Sequence, residues 1–151
     1  MYMKKLLSIL IFILLFNSNA IAFNFKEDID KYGSKNEGVV SSIYILNRCS
    51  GLLQYVAAMT INAEGKKNTV EKYIDFSVIT IHAATRLHSN LHSVSYTKAR
   101  EILLAKRTKL INFYKEDAEK LMLINGRFLS GHILKDTKTC LLLAQFAKNN
   151  N

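Results

Sequence analysis

The chain has no proline, no tryptophan and only six glycines in 151 residues. Folds with many tight turns need proline and glycine as punctuation, so their scarcity argues against a β-sandwich and for long helices. Only two cysteines are present, Cys49 and Cys140. Neither belongs to a Cys-x-x-Cys or Cys-x-x-Cys-His segment, which removes the dithiol redox motif and covalently attached haem. A Gly-x-Ser-x-Gly elbow, a Gly-rich phosphate loop and a His-Glu-x-x-His pair are also missing. Glu116, Asp117 and Glu119 are close in sequence, but only Asp117 points toward an apolar stripe. No local signature of catalysis is left, and the chain leans away from being an enzyme.

The first 22 residues have the order of a secretory signal peptide. Lys4 and Lys5 precede an apolar run from Leu6 to Phe16; Asn17, Ser18 and Asn19 break it, and Ala20-Ile21-Ala22 ends it with small residues. The apolar run is shorter than the ~18 residues of a membrane span. Cleavage is expected between Ala22 and Phe23, and no cysteine lies there to take a lipid anchor. The expected mature chain is periplasmic or secreted, without a membrane span. It keeps 129 of the 151 residues, enough for one domain with one apolar core. Loss of the leader's two lysines takes the formal charge from +9 to +7. A basic exported protein meets anionic lipid, lipopolysaccharide, cell-wall polymer or an acidic protein, so the expected partner is another envelope protein or an anionic envelope component. Nucleic acid is a poor candidate, because the destination lacks it and no nucleic-acid motif is present.

An even cysteine count in an exported chain predicts one disulfide, Cys49–Cys140. The two residues are 91 positions apart. Closing so long a loop contributes about 4–5 kcal/mol in the chain-entropy model.

Apolar spacing sets out the rest. Residues 23–36 read as a polar, solvated lead-in, with a short helical turn docked through Ile29 and Tyr32 as the alternative. A first long helix is predicted from Glu37 to Glu64, capped by Asn36, with Val39, Ile43, Leu46, Cys49, Leu52, Leu53 and Val56 as its inward stripe. Gly51 lies inside it and allows a neighbouring helix to come close, at a cost of about 1 kcal/mol against alanine. The second helix opens at Asn68-x-x-Glu71, a capping-box variant, and runs to Asn90 or His92. Val70, Ile74, Val78, Ile81, His88 and His92 share one face of it. The third starts after Ser95 and runs to Ile124, where Asn125-Gly126 stops it. Its stripe holds Tyr96, Ala99, Leu103, Leu110, Tyr114, Ala118 and Leu121. The last runs from Leu134 to Ala147, with Leu134, Thr137, Cys140, Leu141 and Ala144 facing inward, and residues 149–151 fray. Four amphipathic segments with short connections predict a small all-α antiparallel bundle over residues 37–148. The first and fourth helices are neighbours in such a bundle, which is where the disulfide would join them.

Two clusters stand out as candidate sites. His88 and His92 lie one turn apart on one face, a spacing that can hold a divalent metal, with His132 as a third ligand if the final turn folds over that end. Arg100, Arg107, Tyr114 and Asp117 lie on or beside the third helix's inward stripe. A charge there must be paired or reach water. If the clusters meet, Arg107 grips an anionic ligand and the histidines line the wall, which requires a cavity of about 300 Å³ or more. Met59 or Met122 opposite a histidine would suit non-covalent haem, but methionine at helical spacing is ordinarily core filler. No cofactor is predicted. The leading expectation is a non-enzymatic binding protein: an adaptor, inhibitor or immunity-like factor. The alternatives are a bundle that binds a small molecule or metal through the His/Arg/Tyr cluster, and an enzyme of unknown class.

Overall fold

A computed structural model describes residues 27–61 and 65–150, and among them every regular element is a helix. The reading of residues 1–22 as a leader lies outside the described residues. The helices are α1 (Ile29–Lys35), α2 (Val39–Thr60), α3 (Lys67–His92), α4 (Tyr96–Asn125) and α5 (Gly131–Asn149). Their boundaries follow local chemistry. The Ser95 side chain accepts a hydrogen bond from the Lys98 amide at 3.2 Å and opens α4. Gly126 closes it in the left-handed region, φ 71°, and its N–H returns to the Met122 carbonyl. The two predicted side-chain caps are not used. Asn36 instead closes α1, donating its side-chain amide to the Tyr32 carbonyl, and α2 begins from Gly38. Helix α3 begins after Lys66 with no side-chain cap, ahead of the Asn68-x-x-Glu71 box.

The chain folds as an antiparallel bundle. Asn47 reaches Leu103, and Ser50 and Gly51 face Arg107 and Leu110, so α2 and α4 run parallel. Helices α2 and α3 are the most intimate pair, and α4 and α5 flank them. Cys49 of α2 and Cys140 of α5 form a disulfide, with Cα atoms 5.1 Å apart. The core around it collects Leu52, Leu53 and Val56 from α2, Phe76 from α3, Ala118 from α4 and Ile133 from α5.

Three expected faces are rotated or extended. On α3, Ile74 and Val78 are exposed, while Ser77, Thr80 and Thr85 are buried. Small hydroxyl side chains let α2 and α3 approach closely: Ser77 donates to the Ser50 carbonyl at 2.8 Å. Thr80 and Thr85 bond back to their own helix's carbonyls, so neither threonine hydroxyl is stranded. Val39 and Leu134, expected inside, lie at exposed helix ends. Part of the expected solvated lead-in is helix α1, with Ile29 and Tyr32 buried against α2 and α5. Its seven residues hold too few apolar positions for helical periodicity to register. Tertiary contacts secure it: Lys135 donates to Asp28 at 3.0 Å and Thr139 to Asp30 at 2.8 Å. Asp28 also caps α1, accepting from the Lys31 amide. That bond, then the one from Lys135, pulls its carboxyl below the ordinary aspartate range.

Candidate functional site

The six candidate residues do not converge. Tyr114 is in the core, Asp117 pairs with His132 at 2.6 Å, and Arg100 and Arg107 line a separate groove of about 430 Å³ with Val70 and Ile74. Arg107 donates to Ser50 Oγ at 3.2 Å. Burial, then the charge of Arg100, draws its pKa below the ordinary arginine value. His132 sits with Asp117, away from the histidine pair. Among the described residues, no group of three or more His, Cys, Asp or Glu side chains is arranged to hold a metal ion.

His88 and His92 do come together, with ring centroids 4.3 Å apart. They form one wall of a pocket of about 240 Å³ between α2, α3 and α4. That is below the ~300 Å³ lower end of drug-sized ligand sites, and it suits a single ring or short branched chain. From α2, Val40, Ile43 and Tyr44 supply an apolar side. From α4, Leu103 and Leu110 supply the other, with Lys106 and Lys109 beside them. The α4 register explains why Arg107 is excluded. Lys106 and Leu110 are one turn apart and face the pocket, whereas Arg107 is turned 100° from Lys106, toward Ser50. Burial of His88, then the neighbouring His92 and Lys106, lowers its pKa below 6.5, so at neutral pH it is an uncharged imidazole.

The pocket also holds a residue that the stripe analysis passed over. Asn47 is 3% exposed and lines the cavity. Its Nδ2 donates to the Leu103 carbonyl at 3.2 Å, and its Oδ1 is buried with no protein donor. A buried acceptor without a partner costs about 1–3 kcal/mol. A polar residue on the inward face of α2, one position after Leu46, was the available signal.

A second polar group in the core is centred on Arg48, whose Nε and Nη2 are bonded while its Nη1 is buried without a hydrogen-bond partner. Arg48 of α2 donates from Nη2 to Asp136 Oδ2 of α5 and from Nε to the Tyr114 hydroxyl of α4, both at 2.6 Å. Tyr114 donates to the same Asp136 oxygen at 2.8 Å, and Asp136 Oδ1 accepts the Ile29 amide at 2.8 Å. Burial opposes the Arg48 charge, but the fields of Tyr114 and Asp136 outweigh it and raise its pKa above the ordinary arginine value. Burial raises the Tyr114 pKa well above that of a free phenol and keeps it a donor. Arg48, Tyr114 and Asp136 are closed to solvent, so this network joins helices rather than meeting a ligand. Its sequence signal is a pair of opposite charges beside the two cysteines: Arg48 precedes Cys49, and Asp136 lies one turn before Cys140.

A third feature is an open groove of about 600 Å³ bounded by α1, α2, α3 and α5, with Leu46, Leu87 and Leu143 in its floor. Phe146 stands on its α5 side at 68% exposure, and nearby Leu142 on the same helix is 73% exposed.

No protein family, curated protein or solved structure matches the chain.

Proposed function

We propose that the chain is an exported binding protein that holds a small, largely apolar molecule in the pocket between α2, α3 and α4. The observation that carries this reading is the pocket itself: about 240 Å³, with an apolar side from Val40, Ile43, Leu103 and Leu110 and a wall formed by the paired His88 and His92 rings. Export is supported by the Cys49–Cys140 disulfide, since such bonds persist in oxidising compartments. The leader-like order of residues 1–22 supports it independently. None of the described helices is long and apolar enough to cross a membrane.

Two measurements test the proposal. N-terminal sequencing of protein recovered from its own compartment should begin at Phe23; a start at Met1 refutes cleavage. Native mass spectrometry of the same material should show a small-molecule adduct that is lost in Val40→Trp, which fills the pocket from its exposed side. Protein without an adduct, and indifferent to that substitution, removes the support for a pocket ligand.

A second reading keeps a macromolecular partner, another envelope protein, and rests on Phe146 and Leu142. Large apolar side chains grouped beside a groove are typical of interaction surfaces. A photo-crosslinker at Phe146 should then trap one defined envelope protein, while the same group at exposed Lys120 traps none.

A further inference from the structure

We infer that the groove beside Arg100 and Arg107 seats one amphipathic helix of a partner protein, whose apolar face is flanked by two carboxylates about two turns apart. This surface is separate from the small-molecule pocket and from the groove beside Phe146.

An uncovered apolar stripe marks the groove. Val70, Ile74, Ser77, Val78 and Ile81 of α3 line it. Their spacing puts them on one helical face. Sequence periodicity assigns most of that face to the core, yet Ile74 and Val78 are each 47% exposed. Helix α2 extends the surface with Ala57, Ala58 and Ile61, and Ile61 is 64% exposed. Ala57, Val70 and Ile81 are buried and form the floor, while Ile61, Ile74 and Val78 stand on the rim. A flat bilayer does not reach such a floor, and a single acyl chain leaves the rim in water. The side chains of a helix enter the groove, and its body covers the rim.

Charge fixes the character of that helix. From α4 the groove takes two side chains, Arg100 and Arg107. Seven residues apart, they share a face and stand about 10 Å from each other along the axis. Arg107 is half-buried, and Ser50 Oγ accepts from its Nη1 at 3.2 Å, which holds the guanidinium in place. The charge of Arg100 works against it. Among the described residues no carboxylate lines the groove, and neither arginine lies within ion-pair distance of one. A half-buried cation beside a like charge is costly without a counter-ion. A carboxylate relieves that cost and meets the planar guanidinium with two parallel hydrogen bonds.

Register sets the layout. Ser50, Ser77 and Arg107 meet at one level through hydrogen bonds. In the antiparallel bundle, Val70 and Ile74 of α3 and Ala57 and Ile61 of α2 run from there toward one end, and Arg100 runs toward the other. Seven residues separate Val70 from Ser77 and seven separate Arg100 from Arg107, so the surface is about 21 Å long, the length of a four-turn helix. Apolar anchors of the partner lie over Val70 and Ile74, and its acids lie over Arg107 and Arg100.

The test is a selection on the disulfide-bonded chain from a phage library of five-turn amphipathic helices. A leucine or isoleucine stripe is fixed, and the flanking positions vary among glutamate, glutamine and lysine. The expected winners carry glutamate at two positions seven apart, and their synthetic peptides bind Ile74→Asp at least tenfold more weakly in titration calorimetry. Arg100→Glu, at an exposed position, should turn one of the two preferences from glutamate to lysine, and Arg107→Glu should turn the other. Arg100→Glu and Ile74→Asp keep the test decisive even where Arg107→Glu fails to fold. Winners without glutamate at those positions overturn the acidic partner, and winners indifferent to Ile74→Asp overturn the groove as its seat. An empty selection overturns the partner helix. So does binding to phosphatidylglycerol vesicles, or self-association of the chain, that Ile74→Asp abolishes. None of these variants touches the pocket of His88 and His92, so failure here leaves the small-molecule reading standing.

Discussion

Arg48 and Asp136 meet at 2.6 Å with side chains 0% and 1% exposed, although 88 residues separate them. Each ion is costly to remove from water alone, and the pair survives burial because Tyr114 and the Ile29 amide take up further hydrogen-bonding capacity.

Removing one partner should therefore do more harm than removing the whole group. Asp136→Asn leaves Arg48 charged and uncompensated, and it should lower stability by about 3–5 kcal/mol in urea denaturation. The triple variant Arg48→Met, Tyr114→Phe, Asp136→Leu should be more stable than Asp136→Asn alone. A triple variant weaker than the single one would show that the pair contributes net stability rather than merely being satisfied.

Reduction of Cys49–Cys140 should cost about 4–5 kcal/mol, since it releases a 91-residue loop in the unfolded chain. Paired urea titrations with and without a phosphine reductant measure this. Native protein should show no reactive thiol before denaturation.

His88 should make the fold sensitive to mild acid. Its folded pKa lies below 6.5, so on acidification the unfolded chain takes up the proton first. Stability from this group is present above pH 6.5 and is lost as pH falls toward the lowered value. In His88→Gln the slope of unfolding free energy against pH should flatten in that window, as read by chemical denaturation at half-unit steps from pH 7.5 to 5. An unchanged slope would mean that other groups set it.

Gly51 of α2 packs against Arg107 and Leu110 of α4, and a methyl group there would stand 3.4 Å from Leu110 Cβ, an ordinary contact. Gly51→Ala should then be neutral or stabilising by up to about 1 kcal/mol through helix propensity. Gly51→Leu overfills the same space and should destabilise by about 1–3 kcal/mol. Thermal melts of the two variants decide the point.

The long helices were legible because their signals are local and repeated. The spacing of Leu103, Leu110 and Tyr114 marks the inward face of α4, and Ser95 and Gly126 mark its ends. The disulfide followed from count and compartment. Helix α1 was legible only as the weaker of two readings, because Ile29 and Tyr32 are too few to make a period and its docking depends on residues more than 100 positions away. The candidate site was half legible. The one-turn spacing of His88 and His92 places them together, whereas the side of α4 that presents Lys106 rather than Arg107 depends on how that helix is rotated against α2. Asn47 was overlooked for a related reason. A single polar residue in an apolar stripe looks the same whether its side-chain oxygen is filled or empty, and only the packed neighbours distinguish the two.

The position of Asp136 has a temporal consequence. A chain made N-terminus first delivers Ile29, Arg48 and Tyr114 well before the one carboxylate that serves all three. Until α5 emerges, the guanidinium must stay hydrated and the middle of the bundle must stay ajar. Fragments that stop short of α5 lack that carboxylate, and they should remain open and accessible to proteases.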